Sequence, residues 1–530
     1  MSKTELSRRH FLGAAVTGAA ALTVPAARAA SSSAELPAKW DMETDVVVLG
    51  CGGAGMMAAC QAHDAGVKVE IFDKGMSPFH TATNLCGGLF TAWGSRMQKA
   101  DPEGQKDTWE TFANDIIAYG EHMSLKEPVY AFAKHSGEAF DWLEDNGLKP
   151  HHLEKYAGHS QLRAHRQESF KGRDYIEVLV AALEKRGLKI HHGMGLAKIY
   201  YDEKANRIVG VACGKGDKVV TCRANKAVIM ATGGITGTPE SLDFWVPSVA
   251  GKGVAIGGPS NDGEALRIAV RDVGVPLSHM QYIASYPCGI VVNGRNGPYC
   301  RWWFITGQGG ILVNKKGERF VTELEGICHV TPKLAGNPDG CHYVLADKAT
   351  WDRTLQKIQL GALVGLPSWS AERVEAEFAK GQNLWKADTL EELCEKSGVD
   401  LNGLKKQIAV WNEAVDTKND LQFGRKDQQW KLTEGPWYMI RMFPWNNLSC
   451  GGVRVTEKFE VLGWDLKPVG GFYAAGETVA GVHGAFYCGG TPAALRTPRA
   501  SWPASTRRAI RKPDRRGLKR TTPFVDRPTG

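Results

Sequence analysis

The first apolar segments of the chain alternate between strand and helix patterns. Residues Asp45 to Leu49 (DVVVL) form a short apolar run that predicts a buried strand. Small and apolar residues from Ala54 to Ala65 predict a helix, and the run from Lys68 to Phe72 predicts a second strand. A strand, a helix and a strand in this order indicate a parallel β-α-β unit and an α/β fold.

Two later segments have the pattern of strands that run into glycines. They are residues 226–237 (KAVIMATGGITG) and 470–486 (GGFYAAGETVAGVHGAF). From 350 to 420, by contrast, apolar residues recur at helical spacing between charged faces, as in AERVEAEFAKG. A chain of 530 residues is long enough for two or more domains, and 43% hydrophobic and 23% charged residues are typical of a globular enzyme.

The turn after the first predicted strand carries the glycine pattern of a dinucleotide site. Gly50, Gly52 and Gly55 form G-x-G-x-x-G, and Asp73 follows the second strand. The first glycine allows a tight turn, the second lets a pyrophosphate approach the backbone, and the third lets helix and strand pack closely. The helix N-terminus favours the phosphate charge, and the Asp73 carboxylate can accept hydrogen bonds from ribose hydroxyls.

Residues 1–29 have the features of a twin-arginine signal peptide. Arg8 and Arg9 precede a modest apolar run that ends at Ala27-Arg28-Ala29. No stretch of the chain reaches the roughly 18 to 20 apolar residues of a membrane span. We expect a linker at 30–40 and a mature periplasmic protein, with association at the membrane surface left open. An uncleaved amphipathic start is the alternative.

Twelve cysteines are scattered through apolar or glycine-rich contexts such as LGCGG, NLCGG and LSCGG. No two of them are spaced Cys-x-x-Cys, which excludes a covalently attached haem and a zinc ribbon. We expect most of these cysteines to be small core residues, and the sequence predicts no metal site.

Ala-Thr-Gly-Gly (231–234) and Tyr-Ala-Ala-Gly-Glu (473–477) resemble the FAD-binding scaffold of the fumarate reductase and succinate dehydrogenase flavoprotein family, which includes the 3-ketosteroid dehydrogenases. The resemblance runs from about Thr44 to Gly490 and includes GGILVNKKGERFVTE and CGGVRVTEKFEVL. It implies FAD and a discontinuous Rossmann-like FAD-binding domain of the α/β class with an inserted α+β capping domain. The FAD-binding parts would be 41–280 and 444–495, and the cap 281–443.

The glycine motif and the resemblance together predict which residues hold FAD. Gly87 and Gly88 are placed where proteins of this family pass close to the flavin, and His165 and Arg166 resemble the segment that leads into the helix from Asp174. The predicted FAD-binding residues are Gly50, Gly52, Gly53, Ala54, Gly55, Asp73, Lys74, Gly87, Gly88, Ala231, Thr232, Gly233, Asp262, Gly476, Glu477 and Gly490.

The resemblance also implies which groups would hold a dicarboxylate, and they differ in this chain. Tyr286 occupies the position of a histidine in that family. Ile327, four residues past Glu323, occupies the position of the family's proton-donating arginine. The segment NNLSCGG lacks the paired histidines that the family has there. Tyr487 occupies the position of the arginine that binds the substrate in the family. Two buried carboxylates need fixed, bidentate cations. Fumarate and succinate are therefore not the expected substrates.

A tyrosine before a glycine-rich turn, as in Tyr487-Cys-Gly-Gly, is similar to the site of the 3-ketosteroid dehydrogenases. That similarity implies that the Tyr487 hydroxyl and a backbone N–H polarise a ketone while a base takes a proton and the flavin takes a hydride. A lining of Tyr286 and Tyr487, with Tyr282, Tyr299 or Trp302 from the cap, suits an uncharged, largely apolar ligand with a carbonyl group.

The general base of those dehydrogenases would stand at Ile327, so another group is expected to act in this chain. His329, with an unperturbed pKa of about 6.5, and Tyr286 are the candidates. A surface or core position is the alternative for His329, and an aromatic core position is the alternative for Tyr286.

Three functional hypotheses follow. The first is a 3-oxosteroid dehydrogenase acting at the Δ1 or the Δ4(5α) bond. The second is a periplasmic, fumarate-reductase-like respiratory reductase of an unsaturated acceptor that is not a dicarboxylate. The third is a flavin-carrying binding or chaperone-like protein without turnover. The expected partners are a small apolar ketone or enone and a separate electron acceptor or donor, such as a quinone or a cytochrome, and no nucleic acid.

Most of the formal charge of +8 lies at the C-terminus. Residues 496–530 hold eleven Lys or Arg and two Asp, a net charge of +9, which leaves about −1 for residues 1–495. The segment has no apolar stripe and is typical of a disordered basic tail, with a nucleic-acid arm as the alternative. A shift of one base in a GC-rich gene would turn RTPRASWPASTRR into a small-residue helix like that of the family. We therefore interpret the residues after Pro492 as read in a shifted frame.

Overall fold

The computed structural model describes residues 36–490, except 157, 170, 250, 252, 293–294, 297–302, 324–326 and 360–370. The predicted signal peptide, most of the linker and the basic tail lie outside the described residues, so these predictions stay open. No helix among the described residues is long and apolar enough to cross a membrane.

The described residues form 21 strands and 14 α-helices. The strands are β1 (Met42–Leu49), β2 (Val69–Phe72), β3 (Leu89–Thr91), β4 (Pro150–Glu154), β5 (Ala164–Gln167), β6 (Ile190–His191), β7 (Leu196–Asp202), β8 (Arg207–Cys213), β9 (Val220–Met230), β10 (Val254–Ala255), β11 (Leu277–Ser278), β12 (Ile283–Gly289), β13 (Val291–Val292), β14 (Arg295–Asn296), β15 (Ile311–Val313), β16 (His342–Ala346), β17 (Leu384–Ala387), β18 (Trp437–Ser449), β19 (Gly452–Val453), β20 (Glu460–Leu462) and β21 (Pro468–Ala474). The helices are α1 (Gly53–Asp64), α2 (Ala82–Leu85), α3 (Arg96–Ala100), α4 (Trp109–Tyr119), α5 (Lys126–Asp145), α6 (Arg173–Lys185), α7 (Pro239–Trp245), α8 (Glu264–Val273), α9 (Trp303–Thr306), α10 (Ile327–Lys333), α11 (Lys348–Gln359), α12 (Ala371–Lys380), α13 (Leu390–Ser397) and α14 (Leu401–Thr417).

The larger sheet has the order β20-β21-β8-β9-β1-β2-β6, with β7 paired to β8. Strand β1 lies between β2 and β9 and is parallel to both. Val46 and Val48 pack on one face with helices α1 and α6, and Val47 and Leu49 pack on the other face. Both faces are covered, and this explains why the first strand is continuously apolar. The predicted α/β fold is confirmed.

The second sheet has the order β10-β18-β16-β15, and β12 and β17 also pair with β18. Leu312 and Val344 face helices α11 and α12, whereas Ile311 and Leu345 face α13 and α14. The helical pattern predicted for residues 350–420 is confirmed by α11 to α14. Helix α14 begins with a side-chain cap, because the Asp400 carboxylate accepts a hydrogen bond from the N–H of Gly403.

Strand β18 belongs to both parts of the chain. Its first half pairs with β16, from Tyr438 to Met442, and its second half pairs with β12 up to Ser449. The domain boundary predicted between residues 443 and 444 therefore falls inside one strand.

Ten cysteines within the described residues are free thiols, and all of them except Cys86 are buried. The expectation that most cysteines are core residues is confirmed for this part of the chain. Cys86 lies in the segment before Gly87, next to the predicted cofactor residues.

Candidate active site

The glycine loop after β1 is tightly packed. Gly50 has φ +105°, and a Cβ at this position would overlap the carbonyl oxygen of Ala231. A Cβ on Gly55 would in turn overlap the carbonyl oxygen of Gly50. Only glycine allows the end of β9 and helix α1 to approach the loop this closely.

The N-terminus of α1 has room for an anionic group. Gly52 is the N-cap and has no side chain to satisfy the first N–H groups. The N–H of Gly53 donates to Thr83 Oγ1 at 3.1 Å, and a Cβ on Gly52 would meet nothing closer than Thr83 Oγ1 at 3.9 Å. Backbone donors, open space and the positive end of a helix dipole fit a pyrophosphate. Ala54 lies in the first turn of the same helix.

The Asp73 carboxylate lies at the end of β2, beside this loop. Its Oδ2 accepts from Cys51 N–H, and its Oδ1 accepts from Gly75 N–H, both at 2.6 Å. These bonds fix the carboxylate and leave it further lone pairs for ribose hydroxyls. Lys74 forms ion pairs with Asp262 and, at 2.6 Å, with Glu264. The charge of this predicted cofactor residue is therefore already compensated.

The ends of β9 and β21 meet at Glu477. Gly233 has φ +77° and lies against Asn261, and a Cβ on Gly234 would overlap the Glu477 carboxylate. Glu477 accepts from Ser449 N–H at 2.7 Å and from Asn261 Nδ2 at 3.2 Å. Burial raises the pKa of Glu477 to about 7, against the lowering effect of the Ser449 hydrogen bonds. Ala231 and Thr232 precede Gly233, and Gly476 precedes Glu477 with φ +71°.

The segment of Gly87 and Gly88 runs along strand β5. Gly88 has φ +63°, and a Cβ there would lie 2.8 Å from the backbone of Lys171. The carbonyl of the exposed Gly87 accepts from Arg166 Nη1 at 3.0 Å. Arg166 also forms an ion pair with Glu154, so its charge is compensated.

Tyr487 lies in a turn of neutral groups. It is half-buried, and the ring of the buried His483 lies edge-on to it at 4.8 Å. Burial raises the pKa of Tyr487, with Cys86, Tyr156 and Cys488 acting in the same direction. The backbone of Gly490 has a smaller effect that opposes this rise. The phenol therefore stays protonated near pH 7 and can donate its proton in a hydrogen bond.

The other predicted catalytic residues lie in the second sheet and its helices. Tyr286 is half-buried in β12, opposite Trp445, and packs against the core of the cap. His329 belongs to α10, and its side chain lies outside what the structure describes. Tyr299 and Trp302 are also outside the described residues. Tyr282 contacts His279, with ring centroids 5.8 Å apart.

Arg319 and Glu323, which match a segment of the resembled family, pair with each other inside the cap. Arg319 Nη2 lies 2.7 Å from Glu323 Oε2 and 3.0 Å from Asp420 Oδ2, and all three side chains are buried. This buried ion-pair cluster joins the segment after β15 to the segment after α14.

Sequence reasoning did not identify several polar residues around the site. Thr83, Asn261 and Ser449 hold the glycine loop and Glu477, and His159 and Arg163 lie behind the Tyr487 turn. Single hydroxyl and amide side chains carry no spacing signal. One sequence pattern could have pointed to this region: His159 and Arg163 are four residues apart and come shortly before His165.

The loop, the open helix end and the Asp73 carboxylate fit FAD, and comparison with known proteins agrees. Residues 45–492 match the FAD binding domain family. The acrylate reductase flavoprotein subunit of Shewanella woodyi is 29% identical over 498 residues, which are 91% of this chain and 94% of that protein.

Two solved structures show the same fold. The open conformation of a flavocytochrome c3 fumarate reductase has a TM-score of 0.69 at 24% identity, over 92% of this chain and 79% of that chain. The 3-ketosteroid-Δ4-(5α)-dehydrogenase of Rhodococcus jostii has a TM-score of 0.67 at 23% identity, over 88% of this chain and 96% of that chain. The chain belongs to the FAD binding domain family and is an FAD-dependent oxidoreductase of the fumarate reductase group, which acts on carbon–carbon single and double bonds.

Proposed function

We propose that this enzyme transfers two hydrogens across a carbon–carbon bond next to an uncharged carbonyl group, with 3-oxosteroids as the first substrate class. The observation that supports this most is the Tyr487 phenol, a protonated donor in a turn of neutral groups. FAD, when bound, supplies the hydride chemistry. The protein has to bind the carbonyl, orient the bond and move one proton.

The charges around the Tyr487 turn favour a neutral substrate. A dicarboxylate needs fixed cations with free donors. The Arg166 guanidinium is held by Glu154 and by the Gly87 carbonyl. Arg163, which lies behind the turn, is paired with the carboxylates of Asp107 and Asp115. A ketone, by contrast, needs only one or two neutral donors.

Tyr487 is the proposed donor to the carbonyl oxygen. A single donor directed at an oxygen that gains negative charge in the transition state lowers the barrier by roughly 3 kcal/mol. Because the pKa of Tyr487 is raised, its hydroxyl does not act as the base. His329 and Tyr286 remain the predicted candidates for the base.

The second candidate is a respiratory reductase of an unsaturated acceptor other than a dicarboxylate. It is favoured by the 29% identity to an acrylate reductase flavoprotein subunit over 91% of the chain. A separate cytochrome would then donate electrons, whereas the dehydrogenase would pass them to an acceptor such as a quinone. Periplasmic localisation is part of this second proposal.

An anaerobic flavin assay distinguishes the candidates. We expect a saturated 3-oxosteroid to bleach the absorbance of the bound FAD. If no 3-oxosteroid bleaches it and acrylate oxidises the viologen-reduced enzyme, the reductase is the function. If neither reaction occurs with either class, the protein binds flavin without turnover and the proposal is wrong.

Replacement of the proposed donor provides a direct test. We expect Tyr487→Phe to lower kcat for a 3-oxosteroid by about 100-fold, because one transition-state hydrogen bond is lost. The bound FAD and its absorbance spectrum should be retained. Tyr200→Phe is the matched control, since it removes a phenol on strand β7, where the ring packs edge-on against Trp40. Unchanged turnover in Tyr487→Phe would remove the role assigned to this hydroxyl.

A further inference from the structure

Three side chains that can bind a metal ion lie together at one edge of the larger sheet. Strands β1, β2 and β6 are neighbours and run parallel, so their carboxyl ends lie along the same edge. Cys51 follows β1, Asp73 follows β2 and His192 follows β6. The Cys51 Sγ, an Asp73 carboxylate oxygen and a His192 ring nitrogen all lie within 4.8 Å of one another. No sequence spacing indicates this cluster, because its members come from three separate segments.

The backbone around the cluster is fixed by hydrogen bonds between the strand ends. The N–H of Gly50 donates to the carbonyl of Phe72 at 2.8 Å. The N–H of Asp73 donates to the carbonyl of His191 at 3.0 Å, and the N–H of Met194 donates to the carbonyl of Asp73 at 2.8 Å. These bonds join the three strand ends, so the fold itself brings the three side chains together.

Two of the side chains are also oriented as metal ligands are. The Asp73 carboxylate accepts from the N–H groups of Cys51 and Gly75, both at 2.6 Å. The Nδ1 of His192 lies 3.2 Å from the carbonyl oxygen of Gly75. A carbonyl can only accept, so in the neutral ring Nδ1 carries the proton and the other nitrogen keeps a lone pair. Metal-binding histidines usually have one nitrogen held by a carbonyl or a carboxylate in this way.

The types of ligand indicate the class of cation. A thiolate, an imidazole and a carboxylate suit a zinc-class ion, whereas Mg²⁺ and Ca²⁺ prefer oxygen ligands. Ligand atoms of a tetrahedral zinc ion lie about 3.3 to 3.8 Å apart, so the observed spacing needs shifts of at most about 1.5 Å. The three residues leave the fourth position for water. Cys51 is fully buried, whereas Asp73 and His192 are half-buried and connect the cluster to solvent.

We propose that Cys51, Asp73 and His192 form a binding site for a zinc-class divalent cation, and that a cation in this site excludes FAD. On binding, the Cys51 thiol gives its proton to solvent and its sulfur bonds to the cation. Asp73 is the predicted partner of the FAD ribose, and a cation beside its carboxylate takes the lone pairs that the ribose hydroxyls need. Such a cation would therefore control cofactor loading. The proposal does not depend on the substrate class proposed above.

Cobalt(II) tests the site, because a thiolate bound to Co²⁺ has a charge-transfer absorbance that other ligands lack. We would remove FAD from the full-length protein and titrate the protein with CoCl₂. We expect this absorbance to appear and to disappear when Zn²⁺, which binds more tightly, displaces the cobalt. Cys51→Ser should abolish the absorbance. His192→Gln should weaken cobalt binding by about 10-fold or more, since even the loss of an outer-shell partner has an effect of that size.

Two matched controls make the result specific. Cys60 is another buried thiol, on helix α1, and His191 precedes His192 but bonds to Glu70 at 2.7 Å. Cys60→Ser and His191→Gln should leave the absorbance and the cobalt affinity unchanged.

Competition with FAD is measured on the same proteins. FAD added to the cobalt-loaded protein should release the cation, and the apparent Kd for FAD should rise with the concentration of free Zn²⁺. In Cys51→Ser the Kd for FAD should stay constant over the same zinc concentrations.

Three results would overturn the proposal. They are the absence of the thiolate–cobalt absorbance from the parent protein, its persistence in Cys51→Ser, and the same absorbance in enzyme that holds both cobalt and FAD. The last result would show that the cation and the cofactor bind together. None of these measurements uses a substrate, so failure of 3-oxosteroid turnover would leave the metal site in place and would count only against the proposed function.

Discussion

Burial keeps several histidines around the site neutral. The pKa of His165 is lowered to about 4 and that of His483 to about 3, in both cases because burial disfavours the charged ring. Neither ring nitrogen of His483 has a hydrogen-bond partner among the described residues. A histidine in the sequence indicates a possible cation, and only the packing shows that these two remain uncharged at physiological pH.

Glu477 gives a prediction about pH. Its pKa is raised from 4.5 to about 7, so the folded protein binds this proton more tightly than the unfolded chain. The stabilisation from this group is complete below about pH 4.5 and is lost as the pH rises through about 7. We expect the free energy of unfolding to fall by at most about 3 kcal/mol over this range, relative to Glu477→Gln.

Chemical unfolding of both proteins at several pH values measures this difference. The Gln variant keeps the size of the side chain and cannot titrate, so the other groups cancel in the comparison. Parallel pH profiles of the two proteins would show that Glu477 titrates in the folded protein as it does in the unfolded chain.

At the scale of elements, the first β-α-β unit was predictable because its residues are constrained locally. Strand β1 has both faces covered and is apolar throughout, and Gly50 and Gly55 are positions where a Cβ would overlap the backbone. Strand β18 could not be recognised as one element. Pro444 lies in its middle and indicates a break, since proline has no N–H for the ladder. The register with β12 shifts between Tyr286 and Gly289, and the strand continues past the proline.

The cap gives a prediction at the same scale. Arg319 is enclosed by Glu323, Asp420 and the ring of Trp411, and its side chain has no exposed surface. We expect Arg319→Met to lower the free energy of unfolding by roughly 3 to 5 kcal/mol, because buried Asp420 loses its ion-pair partner and Glu323 keeps only Arg425, at 3.3 Å. Denaturant titration measures the loss. Arg319→Lys keeps the positive charge but not the planar guanidinium, so its free energy of unfolding should fall by less. A decrease below about 1 kcal/mol in Arg319→Met would contradict the prediction.

At the scale of the whole molecule, the charge of the chain is uneven. The net charge of +9 in residues 496–530 comes from arginine-rich sequence that follows the last described glycines. We predict that residues after Pro492 are read in a shifted frame, and resequencing the 3′ end of the gene tests this. Peptide mapping of the protein from its natural source should then lack peptides such as AIRKPDRR. Their detection would show that the basic tail is genuine.

The sequence by itself determined the cofactor class and the central fold. Glycine spacing, buried strands and an acidic residue at a strand end are local requirements of a dinucleotide site, and the chain shows them within about thirty residues. It also placed Tyr487 in a glycine turn. Only the tertiary structure decided what surrounds that phenol. His159 and Gly489 are 330 positions apart, and the hydrogen bond that joins the histidine to this turn depends on contacts that no local pattern encodes.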